Sequence, residues 1–163
     1  MTERSTADPA VRIAAAAPAD LDDVRALFRA YAASLPIDLG YQDFETELGT
    51  LPGKYSPPGG ALLIARHRAG QPLGCVGLRP LAEGVCEMKR LYVDPAARGS
   101  GLGQALMAAI LAEAVRLGYR EICLDTLPTM AAAIAMYRRA GFAPVAPYYD
   151  TAPAVTLFLG RRL

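Results

Sequence analysis

A glycine-rich stretch, RGSGLG, separates a strand-like apolar run from an Ala/Leu-rich helical pattern. The N-terminus of a helix presents unpaired N–H groups and a partial positive charge. Glycines in front of that terminus let a ligand approach the backbone closely. This combination is typical of a phosphate site, and we predict that the stretch binds a pyrophosphate. The predicted donors are the amides of Gly99, Ser100, Gly101, Leu102 and Gly103, with a charged contact from Arg98.

The spacing of the glycines excludes two common phosphate-binding motifs. A P-loop ends in Gly-Lys-Ser/Thr, whereas Gly103 is followed by Gln104. A dinucleotide fingerprint is G-x-G-x-x-G, and the third glycine here comes one position too early for that pattern. A nucleotide-binding oxidoreductase is therefore not favoured.

The elements that must position this stretch follow from hydrophobic periodicity. A strand (VRIAAAAP), a helix after Asp20, a short helix (YQDFETELGTL) and three strands (ALLIARH, PLGCVGLRPL, VCEMKRLYV) precede it. A helix from about Leu102 to Leu117, a strand, a second helix and a closing pair of strands (FAPVAPYY, AVTLFLGRRL) come after. Early hairpins predict antiparallel pairing, and the later strand–helix–strand unit predicts one parallel crossover. The fold class is α/β (α+β) with a mixed sheet.

The glycine stretch resembles the R/Q-x-x-G-x-G/A motif of the GCN5-related N-acetyltransferase (GNAT) family, through Arg98, Gly101 and Gly103. A second block, MAAAIAMYRRAGF, resembles that family's N-x-x-A-x-x-x-Y-x-x-x-G-F pattern. Its matching residues are Ala133, Tyr137, Gly141 and Phe142, and Met130 stands where the family usually has Asn. The resemblance covers roughly Leu62 to Phe158. The length of the chain predicts one domain, so we expect a single N-acetyltransferase domain over residues 1–163. The polar start of the chain predicts a loose tail over residues 1–10. The resemblance also implies a mostly antiparallel sheet of six to seven strands flanked by about four helices.

The resemblance further implies an acetyl-CoA-dependent enzyme, in which an amine attacks the thioester directly. The backbone of Leu91, Tyr92 and Val93 would pair with the pantetheine arm of acetyl-CoA. Tyr137 would be the acid that protonates the departing thiolate. Other family-based interpretations are a non-catalytic acyl-CoA-binding domain and an acetyltransferase of protein N-termini or lysines. A homodimer through the C-terminal strands is a further arrangement that the family uses.

Two carboxylates are candidates for the base, because an alkyl ammonium must lose a proton before it attacks. Glu87 lies on the central strand, where a period of two places it on one face with Lys89, Leu91 and Val93. Asp125 ends the next strand. A water relay is the third option, and the sequence does not choose among the three.

The acceptor is predicted to be a small-molecule amine. Arg79, Lys89 and Arg90 cluster near the central strands, where they would either bind a carboxylate on the acceptor or pair with neighbouring acids. The segments LPGKYSPPGG and PYYDTAPAV are expected to wall the acceptor pocket. Their tyrosines, together with Tyr41, would line it.

Composition limits the classes of partner. With 17 basic and 16 acidic residues the net charge is +1, so neither nucleic acid nor a membrane surface is indicated. The three cysteines, Cys75, Cys86 and Cys123, lie far apart in apolar runs, which predicts neither a disulfide framework nor a metal site. A reducing cytoplasm is the expected location.

Overall fold

The computed structural model describes residues 10–163. The predicted N-terminal tail therefore falls almost entirely outside the described residues. Within them, the chain forms seven strands and four α-helices. The strands are β1 (Val11–Ala15), β2 (Ala61–His67), β3 (Pro72–Ala82), β4 (Val85–Val93), β5 (Glu121–Thr126), β6 (Ala143–Pro144) and β7 (Leu157–Arg162). The helices are α1 (Leu21–Ala33), α2 (Phe44–Gly49), α3 (Leu102–Arg116) and α4 (Ala131–Arg139).

The strands make one mixed sheet in the order β1-β2-β3-β4-β5-β7-β6. The pair formed by β4 and β5 is parallel, and the remaining pairs are antiparallel. The predicted α/β fold with a mostly antiparallel sheet is confirmed. The predicted strand FAPVAPYY is wrong for most of its length, because its ladder with β7 covers Ala143 and Pro144 and is followed by one further bond, from Val145 N–H to the Phe158 carbonyl. Pro147, which comes next but one, lacks the N–H group that a longer ladder needs.

The parallel pair at the centre of the sheet is short. It joins Val85–Glu87 of β4 to Glu121–Cys123 of β5, and the register ends at Glu87 opposite Cys123. Both strands continue beyond this point, β4 to Val93 and β5 to Thr126, while each stays paired to its outer neighbour. The two central strands therefore separate and leave a gap between them, called the central gap below.

A β-bulge shapes the free half of β4. Arg90 has φ 61°, and the register with β3 shifts at this point, so that an extra residue of β4 is accommodated. Past the bulge the alternation of side chains is reversed. Leu91 and Val93 pack with the α3 side of the sheet, whereas Tyr92 packs with the α1 side. The predicted shared face of Glu87, Lys89, Leu91 and Val93 is thus wrong, because a strict period of two does not survive a bulge.

Each face of the sheet carries its own core. One core packs α3 and Tyr137 of α4 against the sheet, around Leu106 and Ile110, which are fully buried. The other packs α1 and α2 against the opposite face, around Val24 and Phe28. Among residues 10–163, no helix combines the length and apolar character needed to span a membrane.

Candidate functional site

The predicted pyrophosphate donors lie together at the N-terminus of α3. Gly99 and Gly101 have φ of 80° and 84°, in the left-handed region that favours glycine. Gly101 is the residue that caps α3, so the helix starts immediately after it. The N–H groups of the first turn have no partner within the helix. They line an open groove of about 880 Å³, whose walls are completed by Val93 and by Ala132 and Met136 of α4.

The space around Gly103 shows whether this groove can accept a phosphate group. An added Cβ at Gly103 would meet Met136 Sδ at 3.7 Å and Val93 Cγ2 at 3.8 Å, which are ordinary contacts. The packing of the protein therefore does not require glycine at this position. Because Val93 and Met136 are walls of the groove, a side chain there would occupy space beside the helix end. The bare backbone fits a bulky anion that lies against the first-turn amides.

Arg98 lies at the edge of the same groove, where it is exposed. Its Nε donates to the Val93 carbonyl at 3.2 Å, and its guanidinium lies 5.9 Å from the centre of the Tyr92 ring. The predicted pantetheine-binding residues Leu91, Tyr92 and Val93 all belong to the part of β4 that borders the central gap. The structure thus places the predicted cofactor residues along one continuous path, from the gap to the start of α3.

An ion pair spans the central gap. Lys89 and Asp125 each lie two residues beyond the last paired positions, Glu87 and Cys123, so they face each other on the side of α1 and α2. Lys89 Nζ lies 3.5 Å from Asp125 Oδ1, and the two side chains are 3% and 10% exposed. Burial lowers the pKa of Lys89 below its ordinary value, although Asp125 and Glu87 oppose that shift.

Tyr137 approaches the gap from the opposite side of the sheet. It lies on α4 and is buried against Phe142, with the ring centroids 5.9 Å apart. Its side chain lines a cavity at the gap together with Leu91 and Asp125. Burial raises the pKa of its phenol, and nearby Tyr31 and Asp125 act in the same direction. The group is therefore a neutral proton donor at physiological pH.

Glu87 is fully buried and held from two directions. Oε1 accepts from Arg79 Nε at 2.8 Å, and Oε2 accepts from the Tyr148 hydroxyl at 2.5 Å. Asp125 instead lines two cavities, one at the central gap and one on the α1 and α2 side of it. The two predicted carboxylates thus lie on neighbouring strands, but Asp125 borders the cavities and Glu87 does not.

Asp125 is part of a polar network that includes a residue absent from the sequence predictions. Gln42, in a 3₁₀ turn before α2, donates to Asp125 Oδ2 at 3.1 Å and accepts from Lys89 Nζ at 2.9 Å. Its Oε1 also accepts from Arg90 Nη1 at 2.8 Å. The Tyr149 hydroxyl donates to the same carboxylate oxygen, Asp125 Oδ2. A single glutamine in a short turn belongs to no motif or hydrophobic pattern, so the sequence alone does not identify it as a site residue.

Arg90 is anchored by a second residue that the sequence predictions omit. Its Nε and Nη2 donate to the two carboxylate oxygens of Glu47 at 2.9 and 3.2 Å. Together with the pairs of Arg79 and Lys89 described above, this gives each of the three clustered cations a carboxylate partner within the chain. The cluster is thus neutralised internally, which accords with the second interpretation of these charges.

Met130 occupies the N-cap position of α4, with no hydrogen bond from its side chain to the helix. The Thr126 hydroxyl lies 3.6 Å from its sulfur, and Met130 contributes to both cavities at the gap. A thioether is therefore present where an Asn would offer a donor and an acceptor.

The sequence and the structure both match known proteins. The sequence profile of the acetyltransferase (GNAT) family matches residues 22–142. An uncharacterized N-acetyltransferase of Schizosaccharomyces pombe is 43% identical over 133 residues, which span 81% of this chain and 82% of the relative.

Solved structures share the fold. A putative acyl-CoA N-acyltransferase from Klebsiella pneumoniae is 30% identical, with a TM-score of 0.72 over 94% of this chain and 97% of its own. A putative acetyltransferase from Salmonella typhimurium, solved with its cofactor acetyl-CoA, has a TM-score of 0.68 at 20% identity, and 94% of each chain is covered. At that identity the second likeness concerns the fold alone.

Proposed function

Because the chain belongs to the acetyltransferase (GNAT) family, whose cosubstrate is acetyl-CoA, we propose that it acetylates the primary amine of a small molecule by direct attack on the thioester. The observation that carries this proposal is the C-terminal half of β4, whose edge toward β5 is unpaired. Val93 at its end borders the glycine groove, and Leu91 borders the cavity that contains Tyr137 and Asp125. A cofactor-binding surface and a set of proton-transfer groups therefore adjoin on one strand.

The residues present fit acetyl-CoA. In the proposed complex, the amides from Gly99 to Gly103 bind the pyrophosphate, and the free backbone of Leu91 to Val93 binds the pantetheine arm. When bound, acetyl-CoA supplies the thioester whose acetyl group is transferred. The family's contact from Asn is replaced at Met130 by a group that cannot donate a hydrogen bond.

Two protons leave the acceptor nitrogen as an alkyl ammonium becomes an amide. We assign Asp125 as the acceptor of the first proton, because it lines the cavities at the gap whereas both oxygens of Glu87 are held by Arg79 and Tyr148. The C–N bond then forms and the C–S bond breaks. Tyr137 gives a proton to the departing sulfur, and the second proton from nitrogen restores Tyr137.

The small size of the proposed acceptor is supported by the limited volume of two partly open cavities on the α1 and α2 side of the sheet. A cavity of about 20 Å³ lies between Tyr31, Tyr41 and Asp125. A second cavity, of about 140 Å³, lies between α2 and Arg79. The larger of the two spaces can hold a compact amine but not an extended peptide, and the smaller holds about one water molecule. Tyr41 lines the smaller cavity and Tyr55 the larger.

The test has two stages. Calorimetric titration of the protein with acetyl-CoA, with NADH as control, should show binding of acetyl-CoA alone. A panel of small primary amines is then compared with peptides that carry a free N-terminus or lysine, and release of the CoA thiol is measured. Thiol release with peptides alone would replace the small-molecule proposal, and binding without release for any amine would leave only an acyl-CoA-binding role.

The proton-transfer assignment has its own comparison. Asp125→Asn should lower kcat by about 10²-fold or more, because a positioned base contributes on that order. Glu87→Gln keeps the hydrogen-bonding shape of a residue that lies away from the cavities, so its kcat should fall much less. Equal losses in the two variants would contradict the assignment.

A further inference from the structure

We propose that the Tyr149 hydroxyl relays the proton from the acceptor's ammonium group to Asp125, which makes Tyr149 a further catalytic residue of the proposed reaction. This inference rests on the proposed function, because it concerns the same transfer of protons.

The carboxylate of Asp125 is already engaged on both oxygens. Oδ1 accepts from Lys89 Nζ at 3.5 Å, and Oδ2 accepts from the Tyr149 hydroxyl and from Gln42 Nε2 at 3.1 Å. A carboxylate offers about four acceptor sites, so these three donors leave one free, on Oδ1. That site lies beside the ammonium group of Lys89, whose like charge disfavours a second ammonium there. An ammonium at Oδ2 would have to displace a hydrogen-bond donor.

Tyr149 lies in the segment between β6 and β7 and is half-buried, as Gln42 is. Of these two members of the network, only the tyrosine hydroxyl can accept a proton while it gives up its own. The Tyr149 hydroxyl donates to Asp125 and accepts from Gln42 Nε2 at 3.5 Å. A phenolic oxygen has two acceptor sites, so one remains to accept from an ammonium while the hydroxyl donates to the carboxylate.

The Tyr149 ring is held in this position by its aromatic neighbours. Its centroid lies 5.2 Å from that of Phe158 and 5.5 Å from that of Tyr148, in edge-on arrangements. Phe158 belongs to β7 and pairs with Asp125 in the sheet register. The same strand pair thus positions the carboxylate and supports the ring that presents the hydroxyl to it.

The proton count closes without any further reactant. The ammonium nitrogen gives one proton to the Tyr149 oxygen as Tyr149 gives its own to Asp125 Oδ2. The freed amine forms the C–N bond with the acetyl carbon, the C–S bond breaks, and the sulfur takes a proton from Tyr137. The second proton on nitrogen then restores Tyr137, and Asp125 releases the first proton to solvent. Burial and the hydrogen bond to Asp125 raise the pKa of Tyr149. It therefore passes a proton on in a concerted step and does not persist as a phenolate.

Tyr148 provides a matched control in the adjacent position. Its hydroxyl also donates to a buried carboxylate, and its ring also packs on Phe158, with centroids 5.1 Å apart. The carboxylate is Glu87, however, whose other oxygen is held by Arg79. Replacing either tyrosine by Phe removes one hydroxyl and keeps the ring, so the two variants differ in which carboxylate loses its donor.

The experiment measures thiol release from acetyl-CoA by wild type, Tyr149→Phe and Tyr148→Phe. Two acceptors are used, the best alkylamine of the panel and hydroxylamine, which is uncharged at neutral pH and does not have to lose a proton before attack. Tyr149→Phe should lower kcat for the alkylamine by about 10²-fold and leave the hydroxylamine rate close to that of wild type. Tyr148→Phe should retain both rates. Calorimetry with acetyl-CoA verifies that each variant is folded.

Two outcomes would overturn the relay. An unchanged or increased alkylamine rate in Tyr149→Phe would show that the hydroxyl only covers the site. Equal losses for the two acceptors would show a structural role without proton transfer. A wild type that binds acetyl-CoA but releases thiol with no amine would refute the proposed function itself, and with it the relay, so the two failures are distinguishable.

Discussion

Replacement of Gly103 by valine should separate the stability of the fold from the binding of acetyl-CoA. The added Cβ would meet Met136 and Val93 at 3.7 and 3.8 Å, and no positive φ opposes a side chain at this position. Glycine costs about 1 kcal/mol in a helix relative to alanine and valine costs less, so the free energy of unfolding should rise by roughly 0.3 kcal/mol. The substitution is thus neutral or slightly favourable for folding.

The same substitution should weaken the binding of acetyl-CoA. The valine methyls would occupy the groove between Val93 and Met136, where the first-turn amides are available to a phosphate. Loss of one hydrogen bond between an amide and a charged oxygen costs about 1.5–3 kcal/mol. That cost corresponds to about a 10- to 100-fold increase in the Kd for acetyl-CoA. Gly103→Ala should have a much smaller effect, since the family motif accepts alanine here.

Calorimetric titration with acetyl-CoA and thermal unfolding, measured on the same preparations, check both parts. Gly49→Val is the control, because Gly49 is also helical and an added Cβ there meets nothing within 4 Å. It should leave the Kd unchanged. If Gly103→Val binds acetyl-CoA as tightly as wild type, the pyrophosphate does not lie against the start of α3, and the argument from the bare backbone is refuted.

Two further predictions concern the buried charges. Burial lowers the pKa of Lys89 from 10.5, so the unfolded chain binds more protons than the folded chain between the folded pKa and 10.5. The free energy of unfolding of wild type, relative to that of Lys89→Met, should therefore rise with pH across that window. Denaturant unfolding at neutral pH and near pH 10 measures this difference, and a constant difference would contradict the prediction. Glu47→Gln removes the carboxylate that pairs with Arg90, whose side chain is 2% exposed. This change should lower the free energy of unfolding by about 3 kcal/mol. Glu113→Gln breaks an exposed ion pair and should change the free energy of unfolding little, so similar losses in both variants would contradict this account.

Local signals make the glycine groove at α3 and the tyrosine on α4 identifiable in the sequence. The glycines before α3 and the apolar period after them lie within one continuous segment, so the cap at Gly101 follows from neighbouring residues alone. The tyrosine on α4 was found through a motif whose residues share one helix and its C-terminal turn. In both cases the chemistry and the element that positions it are contiguous in the chain.

The acceptor side depends on contacts between distant residues, which a single sequence does not reveal. Gln42 meets Asp125 across 83 positions of the chain, and Tyr149 meets it across 24. The bulge at Arg90 is another such feature, because nothing in KRLYV indicates a positive φ at a non-glycine residue. The bulge determines which side chains of β4 face α2. A prediction that assumes a strict alternation of side chains along β4 therefore places Leu91 and Val93 on the wrong face of the sheet.

The early separation of β4 and β5 gives the sheet an internal edge. Unpaired strand edges at a protein's surface invite pairing with other chains, and proteins usually cover or charge them to prevent aggregation. Here two such edges lie opposite each other inside the molecule, with Lys89 and Asp125 across the opening and Tyr137 beside it. Another protein strand would bring side chains into a space that buried residues already border. The pantetheine arm brings none, so a gap that admits acetyl-CoA, as we propose, would also keep this edge from recruiting a second chain.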